Sequence, residues 1–173
     1  MRLFIAINFC DNTKSKLQHL CSELRVTSKK GSFTLTPNLH LTLVFLGECT
    51  LEEACLIKSV MDKTQFAPFE LGIDSIGRFK RVGGDVWWAG VERCEPLQNL
   101  YTTLATKLRA SGFKIENRKY SPHITLGRRV VTEFAPKEIE AFSVKVCSIE
   151  LMKSERIDAK LTYTPIHTKT ALS

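Results

Sequence analysis

Apolar and polar positions along the chain fall into short patterned runs, and each run predicts an element. "RLFIAINF" (2–9) is an apolar stretch of strand length. Asp11 to Thr13 supply helix-capping residue types. Leu17, Leu20, Cys21 and Leu24 then recur at i, i+3, i+4 and i+7, the signature of an amphipathic helix of about four turns. "NLHLTLVFLG" (38–47) reads as a strand ending at a glycine. Thr50 and Glu53 have capping-box spacing, and Ala54, Ile57, Val60 and Met61 give the helix behind them its apolar stripe. "FELGIDSIGRF" (69–79) reads as one or two strands, "GGD" (83–85) as a turn and "DVWWAGVE" (85–92) as a strand. Pro96 suits the first position of a helix striped by Leu97, Leu100, Leu104 and Leu108, and Gly112 suits the cap after its end. "KYSPHITLG" (119–127) is a second strand of the "NLHLTL" kind. "FSVKVCSIELMKSE" (142–155) and "TYTPIHTKTAL" (162–172) look like strands that close the fold, with a short helix near Pro136 to Ala141.

The order strand, helix, motif strand occurs twice. An offset of 83 residues, from 40 to 123, lays "VWWAG" on "LFIAI", Leu100 on Leu17 and His123 on His40. Identity outside the motif is slight, so the repeat is one of architecture. Two similar lobes related by an approximate two-fold would let histidines distant in sequence share one cleft. No linker or low-complexity segment separates the halves, so residues 1–173 are expected to form a single bilobal domain.

The chain has 173 residues, 43% hydrophobic and 25% charged, which is ordinary for a globular protein. No segment approaches the roughly 18 uninterrupted apolar residues of a membrane span. The amino-terminal run reads as a first strand and not as a signal peptide, which makes the cytoplasm the expected location. Six cysteines, at 10, 21, 49, 55, 94 and 147, are scattered without a Cys-x-x-Cys pair. They are expected to be free thiols, most of them among apolar residues as small buried hydrophobes, and no metal site is expected. The net charge of +7 points toward a polyanion such as nucleic acid or an anionic metabolite.

The two His-x-Thr-Leu strands carry the chemistry. Residues two apart on a strand share a face. His40 and Thr42 therefore point one way, against Leu39, Leu41, Leu43 and Phe45. His123 and Thr125 do the same against Ile124 and Leu126. An imidazole and a hydroxyl on that face need polar partners or solvent. One such pair is explained by a hydrogen-bonded surface histidine, but two at matching places in a repeat suggest a shared site. An unperturbed imidazole has a pKa near 6.5, so one can be neutral while the other is protonated. Such a pair can deprotonate an attacking oxygen and protonate a leaving oxygen on opposite sides of a phosphorus atom. Thr42 and Thr125 can bond the non-bridging oxygens, and a nearby arginine can offset their charge. Strict alternation puts Arg129 on the His123 face and Arg128 on the other, but Gly127 can end or twist the strand, so parity leaves the two open. Lys29-Lys30, Arg78 to Arg81, Arg118-Lys119 and Arg128-Arg129 could guide an RNA backbone. His19, off the stripe of its helix, and His167, on a late strand without a Thr partner, read as surface or structural residues.

The doubled "HLTL" and "HITL" resemble the paired H-x-T-x motifs of the two-histidine phosphoesterase superfamily. Within it the chain is similar, nearly end to end, to the bacterial and archaeal RNA 2′,3′-cyclic phosphodiesterases, also called 2′-5′ RNA ligases. "RLFIAI", "NLHLTLVFLGE", "GRF" (77–79), "VWWAGVE", "PHITLGR" and the closing "YTPI" carry that resemblance. It implies an α+β fold of two similar lobes, with mostly antiparallel sheets lining a central cleft and helices outside. It implies hydrolysis of an RNA 2′,3′-cyclic phosphate end to a 2′-phosphate, without a metal or other cofactor. Nothing in the sequence argues for an oligomer, so a monomer is the default expectation. By motif position His40 would be the proton donor and His123 the proton acceptor. Thr42 and Thr125 would bind phosphate, and the longer motif H-x-T-L-x-R favours Arg128 over Arg129. Joining of RNA ends through a 2′-5′ bond, or action on another 2′-linked or cyclic nucleotide, is the alternative activity. A basic RNA-end binder without catalysis is a third. Phe4, Phe45, Phe79 and Tyr120 are candidates to stack a base by nearness to the motifs.

Overall fold

Each strongly striped segment forms the element its spacing predicts. The computed structural model describes residues 1–173. A first strand, β1 (Arg2–Asn8), is followed by helix α1 (Asp11–Val26), which buries Leu17, Leu20, Cys21 and Leu24. The motif strand β3 (His40–Glu48) leads into α2 (Leu51–Asp62), whose capping box of Thr50 and Glu53 is fully formed. "FELGIDSIGRF" is one strand, β4 (Phe69–Phe79), and a turn joins it to β5 (Asp85–Val91). Gly84 in that turn has φ 130°, and a Cβ there would lie 2.5 Å from the Arg129 backbone, so only glycine fits. Helix α3 (Glu95–Ala110) buries its leucine stripe, and Gly112, at φ 94°, follows its end. The second motif strand is β6 (His123–Thr132).

Three segments depart from expectation. A polar strand, β2 (Ser28–Phe33), precedes a 3-10 turn over Thr36–Asn38. The helix expected near Pro136 to Ala141 is absent. Those residues open β7 (Lys137–Val146), which runs beside β4 as an edge strand. Its exposed residues carry no helical stripe that the core needs, and pairing with β4 satisfies its backbone instead. "FSVKVCSIELMKSE" is not one strand. Cys147 separates β7 from β8 (Ser148–Ile157), and the two belong to different sheets. The last strand is β9 (Lys160–Thr170).

The strands form two sheets, ordered β3-β1-β8-β9 and β2-β6-β5-β4-β7, and every pairing is antiparallel. The first sheet takes its strands from both ends of the chain. The unit β1–α1–β3 in one sheet matches β5–α3–β6 in the other, in the positions the 83-residue offset assigns. The helices cross over: α1 packs against β6 of the second sheet and α3 against β3 of the first. Cys21 on α1 donates its thiol to the Leu126 carbonyl at 3.6 Å. One apolar cluster therefore contains residues of both sheets, among them Leu39, Leu41 and Leu43 of β3 and Ile124 and Leu126 of β6. No helix is long and apolar enough to cross a membrane.

The six cysteines are all unbridged, but only Cys21 and Cys49 are buried. Cys10, Cys55 and Cys147 are exposed. These three sit at a helix cap, on the outer face of α2 and at the crossing between sheets, where the apolar neighbours in sequence turn away from them.

Leu126 is fully buried where α1 meets β6. Leu126→Ala is expected to lower stability by about 3 kcal/mol, the usual cost of an unfilled leucine site, read from urea unfolding.

Candidate active site

The two motif strands lie against one another between the sheets, and their apolar faces are committed to the shared core. Their histidine faces therefore turn to the cleft. The backbone holds the two histidines in the same way. His40 Nδ1 lies 2.7 Å from the Asn38 carbonyl oxygen, and His123 Nδ1 lies 2.8 Å from that of Ser121, two residues upstream in each case. A carbonyl oxygen can only accept, so each Nδ1 carries the hydrogen and each neutral ring presents Nε2 as the basic nitrogen. The Thr42 hydroxyl donates to His40 Nε2 at 3.0 Å. His123 Nε2 and the Thr125 hydroxyl have no partner in the protein.

Aromatic rings wall both histidines. Phe4 lies 4.9 Å from the His40 ring and Tyr163 meets it edge-on at 5.2 Å. Phe79 meets His123 edge-on at 5.1 Å and touches Trp88. Trp88 is paired with Thr125, and its ring lies across Gly77, where a Cβ would meet it at 2.1 Å. This burial favours the uncharged imidazole. It pushes His40 down to about 4, with Lys14, Arg128 and His123 acting in the same direction against the Asn38 hydrogen bond. His123 is lowered too, by burial and by Arg128 and Arg118. Burial raises Tyr163, and Arg128 pulls the other way.

A β-bulge sets which of the two arginines shares the His123 face. Trp88 pairs with Thr125 and Trp87 with Gly127, so β6 holds one residue more than β5 at Leu126. Leu126 and Gly127 are consecutively buried, and the alternation resumes one step late. Arg128 then falls on the His123 face. Arg129, with φ 53°, takes a second irregular position. The charge of Arg128 acts on His40, His123 and Tyr163, and that of Arg129 on none of them. The same bulge occurs in β3, where Ala6 pairs with Thr42 and Ile5 with Val44. The counterpart of Arg128 is there Phe45, which alternation put on the leucine face; the bulge turns it out of the core beside Phe4, half exposed under the Arg2 guanidinium.

The cleft thus brings together His40, Thr42, His123, Thr125 and Arg128, with Phe4, Phe45 and Phe79 on the same faces. It does not bring Tyr120 as a stacking surface. Tyr120 is packed flat on Tyr101 of α3 at 4.1 Å, and its hydroxyl is bound to the Thr42 carbonyl. Tyr163, Trp88 and Asn38 belong to the surroundings of the site; Asn38 opens the quoted "NLHLTLVFLGE" and Trp88 lies in "VWWAGVE", but neither stands out there as a site candidate. The buried Asn38 amide donates to the Leu161 carbonyl at 2.8 Å and so fixes the segment that holds His40. The quoted "YTPI" contains Tyr163, and that was its only signal. His19 is exposed on α1, and His167 pairs with Asp62 at 2.8 Å, both away from the cleft. Of the basic groups expected on the surface, Lys29, Arg78 and Arg118 are held in ion pairs with Glu133, Asp85 and Glu116.

A family model described as the 2′-5′ RNA ligase superfamily matches residues 13–158. An RNA 2′,3′-cyclic phosphodiesterase of Archaeoglobus fulgidus is 33% identical over 130 residues, 74% of this chain and 72% of the relative. One from Thermotoga maritima is 34% identical over 131 residues, 74% and 70% of the two chains. The crystal structure of Escherichia coli LigT complexed with 3′-AMP superposes with a TM-score of 0.88 at 26% identity, over 99% of this chain and 98% of that one. The two antiparallel sheets with their helices are thus the two-histidine phosphoesterase fold that the paired motifs resembled.

The lowered imidazoles give the stability a defined pH dependence. His40 titrates near 4 when folded and near 6.5 when unfolded, so between those values the unfolded chain holds more protons. Stability from this source is complete above about pH 6.5 and is lost as the pH falls toward 4, with His123 adding in the same direction. Urea midpoints at pH 7 and pH 4.5 should therefore draw apart in the wild type and draw closer in His40→Gln.

Proposed function

The chain belongs to the 2′-5′ RNA ligase superfamily, and we propose that it is an RNA 2′,3′-cyclic phosphodiesterase working by acid–base catalysis between His40 and His123. The observation that carries this reading is the matched presentation of two Nε2 atoms toward one cleft, each ring oriented by a carbonyl behind it. A water attacks phosphorus opposite the 3′-oxygen. His123 Nε2, which has no partner in the free protein, takes the water's proton. His40 Nε2 delivers a proton to the departing 3′-oxygen. One P–O bond forms, the P–O3′ bond breaks, and a 2′-phosphate remains.

The donor role asks more of His40 than the acceptor role asks of His123. In the free protein His40 is neutral at pH 7, because burial and the Arg128, Lys14 and His123 charges oppose its proton. A bound phosphate supplies negative charge beside the ring and favours that proton. Protonated Nε2 no longer accepts from Thr42, which frees the Thr42 hydroxyl to donate to a phosphate oxygen. Thr125 has its hydroxyl available from the start. Arg128 stabilises the charge that builds on the non-bridging oxygens. His40 gains its proton from solvent as the phosphate binds and passes it to the 3′-oxygen, and His123 ends the step holding the water's proton.

Charge supports an RNA substrate. The net charge is +7, and Lys30, Lys80, Arg81, Lys119, Arg128 and Arg129 are engaged in none of the ion pairs. Cations not tied up in ion pairs attract a phosphodiester backbone, and Arg128 is the one whose charge reaches the histidines.

An oligonucleotide ending in a 2′,3′-cyclic phosphate, incubated with chelator, should be converted to a 2′-phosphate, identified by phosphorus NMR. His40→Ala and His123→Ala should each lower kcat by at least about 10²-fold with unfolding midpoints little changed. Absence of wild-type turnover, or retained activity in either variant, defeats the scheme. Arg128→Ala should cost about 10²-fold in kcat/KM, whereas Arg129→Ala should stay within a few-fold. The reverse order would exchange their roles.

A further inference from the structure

Two side-chain hydroxyls join the motif strands, and they do so reciprocally. The segment that leads to His40 carries Thr34, whose hydroxyl donates to the Thr125 carbonyl at 2.8 Å. The segment that leads to His123 carries Tyr120, whose hydroxyl donates to the Thr42 carbonyl at 3.0 Å. Each motif threonine is therefore held through its own backbone by a residue that approaches the other motif. We propose that Thr34 and Tyr120 are positioning residues that set the separation and register of the two histidine strands during catalysis.

Neither residue reaches the cleft with its reactive atoms. Tyr120 lies against Tyr101 at 4.1 Å with the rings within 9° of parallel, so α3 fixes the direction of its hydroxyl. Its burial raises the phenol's pKa, and the hydroxyl stays protonated as a donor. Thr34 is anchored by its own backbone as well, with its N–H donating to the Leu126 carbonyl at 2.9 Å. Leu126 is the extra residue of the β6 bulge, so Thr34 grips the strand where its alternation changes. The Thr42 carbonyl stands at the matching bulge of β3. Bulges bend a strand and raise its twist, and a bent strand without a tie can swing its histidine out of line. In-line transfer is sensitive to such a shift, because a displacement of about 1 Å can cost about 10²-fold in rate.

This inference rests on the two-histidine reading and is tested on a wild type shown to turn over. Thr34→Val keeps the branched shape and the backbone bond but removes the donor. Tyr120→Phe keeps the stack and removes the donor. Each should lower kcat about tenfold with KM within about twofold, and the double variant should lose more than either. Both limbs of the kcat pH profile should remain in place, since the titrating groups are intact. Thr34→Ser, which returns the hydroxyl, should recover most of the loss. Assays well below the thermal midpoint separate this from unfolding, and circular dichroism checks each variant. If Tyr120→Phe does not fold, Thr34→Val and Thr34→Ser decide the matter. Unchanged kcat in the folded variants, or a rise in KM alone, overturns the proposal. Loss of wild-type turnover, or activity persisting in His123→Ala, would instead strike the two-histidine reading.

Discussion

The site depends on the burial of two strand faces in one core. Leu39, Leu41 and Leu43 on β3, and Ile124 and Leu126 on β6, are all within 3% of complete burial in the same cluster. A strand has only two faces. Once the leucine face is committed, the residues between have no direction left except the cleft. Burying such side chains is worth about 1.5–3 kcal/mol each, more than enough to hold an imidazole in partly desolvated surroundings. The crossed helices make this commitment mutual. Helix α1, which follows β1 of the first sheet, covers β6 of the second, and α3 covers β3. Neither motif strand can be buried properly unless the other half of the molecule is present.

Much of this was legible in the sequence because it rests on periodicity. The stripes of α1, α2 and α3 and the two-residue alternation of the motif strands are one-dimensional signals, and they survive folding unchanged. The repeat was legible for the same reason, since β5 begins and ends where the offset from β1 places it. What failed had no periodic signal of its own. β2 reads "SKKGSF", polar on both faces, and is a strand only because β6 offers it an edge. The chain's passage from one sheet to the other at Cys147 leaves an unbroken apolar pattern. The segment after Pro136 has strand structure because β4 pairs with it.

The site residues divide along the same line. The histidines and threonines lie on a regular stretch, and counting by twos places them. Arg128 lies past a bulge, where counting by twos would put Arg129 on the His123 face and the pairing register puts Arg128 there. The surplus residue at Leu126 is visible only in the pairing register between β5 and β6. Tyr163 reaches His40 from β9, at the far side of the same sheet, and Trp88 lies beside Thr125 and against Phe79, and no periodic pattern marks either. Tyr120 looked suited to stacking because it precedes the second motif. Its ring is committed to Tyr101 and its hydroxyl to the other motif strand.

The approximate two-fold makes the two histidines alike in fold and leaves chemistry to make them different. At the position five beyond the histidine, one strand carries Phe45 and the other Arg128. On the proposed reading a phosphate between the imidazoles meets a guanidinium at this position on β6 and a ring at the matching position on β3, while Lys14 adds its charge near His40. The His40 nitrogen is occupied by Thr42 until it gains a proton, whereas that of His123 is open. A near-symmetric scaffold is thus made unequal at the position that carries Arg128 or Phe45. On the proposed reading that inequality orients the scissile bond, since reversing the substrate would carry the charged group away from Arg128 and toward Phe45. The order of proton donor and acceptor then follows from where the charge is held, not from any difference between the two motifs themselves.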